Sequence, residues 1–160
     1  MPLLVRLAAA CIVAIAALTA APSQAAMRWQ AGHRPVLLAH STESESDRTF
    51  WALCRGPGAI ELHIGADEFV GKGEGEPVSL TFAGGGRSAT LRGVSKKSDD
   101  FQMTGGSELV TEVTTDDPVF ALLLTGKPLT ITGSVKKPIV LDGKSAKPAV
   151  AKFLAACRGL

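Results

Sequence analysis

The chain has 160 residues, with 17 Lys plus Arg against 15 Asp plus Glu, and contains neither Tyr nor Asn. So even a charge balance gives no electrostatic footprint for nucleic acid or an anionic membrane, and the lack of Asn excludes N-linked glycosylation. Without Tyr, only Phe and Trp remain as aromatic anchors, which argues against a tyrosine-rich recognition surface.

Residues 1–25 read as a secretory signal. Arg6 is their only charged side chain, Leu7 to Ala20 form an apolar run, and Ser23-Gln24-Ala25 places small residues where a signal peptidase reads. The run is too short for a membrane anchor, since a spanning helix needs about 20 apolar residues. Cys11 lies inside it without the large aliphatic residue of a lipoprotein signal three places earlier. Cleavage after Ala25 would leave 135 of the 160 residues, a size for one domain with one core and no membrane span. The expected location is the periplasm or the exterior.

From Ala26 to Arg48 the pattern is irregular. Met27-Arg28-Trp29 and Val36-Leu37-Leu38 are short apolar islands, and residues 41–47 form a polar, acidic run, so 26–48 is expected to be an N-terminal arm followed by a solvated loop. His33 and His40, with Glu43, Glu45 and Asp47, offer metal-ligand types without the fixed geometry a site requires, and no metal or other cofactor is expected.

Regular structure is expected over 49–160, as a single β-rich domain. Phe50 to Arg55 is a short, crowded apolar segment ending at Gly56-Pro57-Gly58. Residues 59–64 alternate, with Ile60, Leu62 and Ile64 inward and Glu61 and His63 outward, which predicts an antiparallel strand with one wet face. Residues 71–77 read as a loop, and 78–82 and 88–92 as two strands joined at Gly84-Gly85-Gly86. A phosphate cradle is not implied there, because a strand follows the glycines. Phe101 to Met103 and residues 108–114 are further strand candidates, the second with Leu109, Thr111 and Val113 on one face and Glu112 on the other. Asp117-Pro118 opens a short helix near 117–124 that Gly126 ends. Residues 129–132 and 139–141 read as the last hairpin, with Lys136 and Lys137 solvated near its tip. Gly143-Lys144-Ser145 lacks the earlier glycine of a P-loop, since Pro138 stands there. The sum is an antiparallel sandwich or barrel-like sheet of about seven or eight strands.

The C-terminal helix, near 146–157, is the clearest element. Val150, Phe153, Leu154 and Cys157 recur at i, i+3, i+4 and i+7, Ser145 is placed to cap the helix, and Gly159 stands where a left-handed residue would end it. Two cysteines, Cys54 and Cys157, would remain in an exported chain, so one disulfide between them is expected.

The chain contains no Gly-x-Ser-x-Gly, His-Glu-x-x-His or nucleotide-binding glycine fingerprint, so no catalytic residue is assigned and a non-enzymatic role is expected. Trp51-Ala52-Leu53-Cys54, a helix ending Leu124-Thr125-Gly126-Lys127, Pro128 to Thr132, Ile139 to Gly143, and a helix ending Phe153 to Cys157 together resemble small exported proteobacterial proteins. The pattern is similar to the invasion-associated locus B family and, in layout, to type VI secretion-associated periplasmic proteins. The resemblance implies a binding or accessory protein of the cell envelope that touches another protein or an envelope component. Trp51 and His63 are the candidate contact residues, Trp51 from its place opposite Phe50 and Cys54 in the alternation and His63 from its expected exposure. An inhibitor of a wall hydrolase such as lysozyme is the alternative, although such inhibitors carry a tyrosine signature absent here. A small hydrolase with a site assembled only through the fold is the third reading.

Overall fold

The computed structural model describes residues 26–42, 47–65, 69–99 and 101–160. Residues 1–25, where the signal reading falls, lie outside the described residues, as do Glu43 and Glu45. Among the described residues no helix is long and apolar enough to cross a membrane.

The strands are β1 (Arg28–His33), β2 (Val36–Ser41), β3 (Arg48–Gly56), β4 (Ala59–Ile64), β5 (Glu74–Gly84), β6 (Arg87–Lys97), β7 (Ser107–Thr114), β8 (Leu129–Gly133) and β9 (Ile139–Leu141). The helices are α1 (Phe101–Thr104), α2 (Pro118–Leu123) and α3 (Ala146–Arg158). All strand pairings are antiparallel, in the order β1-β2-β3-β4-β7-β6-β5-β8-β9, and the sheet curls into a half-barrel.

The mainly β architecture matches the expectation, with a strand count slightly above it. The additional pair is β1–β2, formed where an irregular arm was expected. Its apolar islands face a core built from distant elements: Trp29 packs edge-on against Phe50, with ring centroids 5.1 Å apart, and its indole N–H donates to the Asp142 carbonyl at 2.9 Å. Local patterning could not reveal this strand, because its apolar contacts lie across the fold.

Alternation explains the rest of the sheet. Ile60, Leu62 and Ile64 are buried on the inner face, beside Phe50, Ala52 and Leu109 from the neighbouring strands. β5 and β6 extend well beyond the segments expected from sequence and meet at a two-residue turn in which Gly85 and Gly86 both have positive φ, the geometry that a hairpin matched to strand twist demands. Phe101 to Thr104 is one helical turn and not a strand: the Gly105 N–H donates to the Phe101 carbonyl at 2.8 Å, and the left-handed Gly105 ends the turn. Lys136, expected to be merely solvated, lies over the Phe69 ring at 4.0 Å.

Both longer helices fill the concave side. α2 packs on β5, β6 and α3, and the Asp117 side chain caps it by accepting from the Val119 N–H. α3 lies across β1 and β2 and buries Val150, Phe153, Leu154 and Cys157, the stripe read from sequence. Val150, Phe153 and Leu154 each contribute about 1.5–3 kcal/mol by leaving water. The ends of α3 depart from expectation. Ser145 is left-handed and its hydroxyl donates to the Lys144 carbonyl, so it makes no side-chain cap, whereas Gly159 has an ordinary negative φ. In the preceding turn, Gly143 lies so close to the Gly126 backbone that no side chain would fit there. Cys157 is bonded to Cys54, with 5.6 Å between Cα atoms, stapling α3 to β3.

Candidate functional site

The outer face of β3, β4 and β7, opposite the helices, carries a connected set of ionisable side chains. It begins with alternation: Trp51, Glu61 and His63 point away from the core because Phe50, Ala52, Ile60, Leu62 and Ile64 point into it. Register then pairs Trp51 directly with His63, and the two rings stack with centroids 3.6 Å apart and planes inclined by 17°. The Arg48 guanidinium lies 5.5 Å from the Trp51 ring centroid.

His63 bridges two carboxylates. Its Nδ1 lies 2.7 Å from Glu108 Oε1 and its Nε2 lies 2.8 Å from Glu61 Oε1. A carboxylate offers only acceptor oxygens, so the imidazole supplies the donor wherever one of its N–H groups makes these contacts. Glu61 in turn accepts two bonds from Arg55, at 2.9 Å from Nε and 2.8 Å from Nη2, a bidentate fork. Arg55 first, and His63 second, hold the Glu61 carboxyl at about 2, far below its usual range. The result is a connected polar row, Arg55, Glu61, His63 and Glu108, whose last two members are nearly inaccessible to solvent.

His63 therefore departs from the exposed position expected of it. It does lie on the outer face, but only 8% of it is accessible, because Trp51 covers its ring and carboxylates flank both nitrogens. Trp51 remains half-buried. Sequence reasoning left Arg55 and Glu108 out of the site. Glu61 was placed on the correct face, but the register that brings Glu108 across from 45 residues away has no local signal.

The other two histidines do not join this set. His40 is buried on the inner face with Nε2 3.0 Å from Asp142 Oδ2, while its Nδ1 has no hydrogen-bond partner among the described residues. Asp142 also accepts the Lys144 N–H through Oδ1 and the Trp29 indole through its carbonyl, so it ties the β9–α3 turn to the β1–β2 edge. His33 is exposed at the end of β1. Among the described residues no group of three or more His, Cys, Asp or Glu is arranged to hold a metal ion.

Beside Glu61 the outer face is indented. The small Ala59 side chain leaves a groove of about 290 Å³ between Arg55 and Glu61 on one side and Glu112 and Thr114 on the other. Glu61 and Glu112 stand directly opposite each other in the β4–β7 register. Comparison with protein-family models, with curated proteins and with solved structures found no match to this chain.

Proposed function

We propose that this chain is an exported, cofactor-free β domain of the cell envelope, periplasmic or secreted, that works by contact with another protein or an envelope component. The observation that carries the reading is the half-buried Trp51, stacked on His63 on the sheet face opposite the helices and framed by Arg48, Arg55 and Glu61. A flat aromatic with a charged surround is the composition of interface anchors. The Cys54–Cys157 bond fits an oxidising compartment. The resemblance to the invasion-associated locus B family leads in the same direction. A hydrolytic role for His63 is disfavoured because both ring nitrogens are already committed to carboxylates, leaving neither to activate a nucleophile.

The test is Trp51→Ala in the exported protein, isolated from the envelope fraction, where intact mass should place the first residue at Ala26. The variant should lose about 1–2 kcal/mol, the scale of one aromatic stack and partial burial, and should lose photo-crosslinks formed from the neighbouring Leu53 position. A loss of several kcal/mol with crosslinks retained would make Trp51 a packing residue. Hydrolysis of a generic ester, peptide or glycoside substrate that His63→Ala abolishes would make the protein an enzyme.

A further inference from the structure

Glu112 is the one member of the outer-face groove whose charge has no counterpart. It is exposed, and among the described residues it forms no hydrogen bond or ion pair, whereas Glu61 opposite it is doubly held by Arg55 and also contacts His63. Arg92, on the strand β6 that borders β7, makes no ion pair with it either. Like charges directly opposite on neighbouring strands are unfavourable.

We infer that the groove between Arg55 and Glu112 receives a positively charged side chain, guanidinium or ammonium, presented by the protein that docks on the Trp51 face. The inference rests on the contact role proposed above. Arg55 turns its Nε and Nη2 to Glu61 and makes no ion pair with Glu112, so it forms a wall of the groove. Glu112 supplies the unmatched negative charge, Thr114 a hydroxyl at the rim, and Ala59 the space. An incoming cation would satisfy Glu112 and screen it from Glu61 at once. A residue suited to this role lowers the stability of the free protein and raises its affinity for the ligand, and that pairing separates it from an ordinary solvated glutamate.

The experiment titrates N-acetyl-arginine methylamide, and in parallel the lysine analogue, into the disulfide-intact protein and follows backbone amide shifts. Saturable shifts centred on Ala59, Glu112 and Thr114 are expected, weakened about tenfold in Glu112→Gln. The same variant should melt above the wild type at low ionic strength, and the difference should shrink in about 1 M salt, where the screening length falls to roughly 3 Å. Shifts unchanged in Glu112→Gln, shifts spread over all surface carboxylates, or a lowered melting temperature would each overturn the inference. Failure here, with crosslinking still dependent on Trp51, would remove the cation site and leave the contact role standing. Loss of the Trp51 dependence with these shifts retained would do the reverse.

Discussion

Glu61 holds together the polar row on the outer face, and its depressed pKa makes a statement about stability. A carboxyl whose pKa is lower in the folded than in the unfolded chain stabilises the fold wherever it is ionised in both states. Its contribution is therefore complete above about 4.5, the ordinary value, and is lost as the pH falls through about 2. Glu61→Gln should destabilise the protein near neutral pH, by at most about 1 kcal/mol because solvent screens much of the pair. Thermal unfolding of both forms should converge as the pH approaches 2; a constant difference across that range would show that the Arg55 and His63 contacts carry no net ionic stabilisation. At this scale the sequence was half legible. Alternation assigned Glu61, His63 and Glu112 to the outer face correctly, since a strand has only two sides. It could not show that His63 would be enclosed, because Trp51 and Glu108 reach it only through the register of three strands.

Among the elements, α3 is the one whose position depends on a covalent bond. Its apolar stripe specifies which face docks, and Cys157 on that stripe reaches β3 across 103 residues of sequence. A closure of that length is worth about 4–5 kcal/mol in the chain-entropy description, an upper figure because the denatured chain is not fully random. Cys54→Ser with Cys157→Ser, or reduction, should lower the unfolding free energy by a few kcal/mol, and alkylation of the unfolded, unreduced protein should label neither cysteine. Labelling of both would refute the bond. The helix and the alternating strands were readable because each repeats its pattern over several residues. β1 and β2 were not, since Trp29 and Val36 to Leu38 are islands too brief to show a period. Phe101 to Met103 was read as a strand on apolar content alone, and the turn made by Thr104 and Gly105 decided otherwise.

At the scale of the molecule, the earliest strand pair and the last helix complete each other. β1 and β2 lie at one edge of the sheet, α3 crosses them, and the Trp29 indole bonds to the Asp142 carbonyl 113 positions along the chain. Contacts this remote in sequence slow folding, because loop closure must precede the gain from burial. A chain ending at Leu141, without the Asp142 turn and α3, should show no slow-exchanging amides in β1 and β2; protection equal to that of the full chain would mean the hairpin is stable without the helix. For a polypeptide made from its N-terminus, the inner face of β1 and β2 stays uncovered until α3 has been synthesised. Until then Trp29 has no Asp142 carbonyl to bond and Cys54 no Cys157 to meet, so the bracing of that sheet edge and the staple on β3 are the last parts of the fold to set.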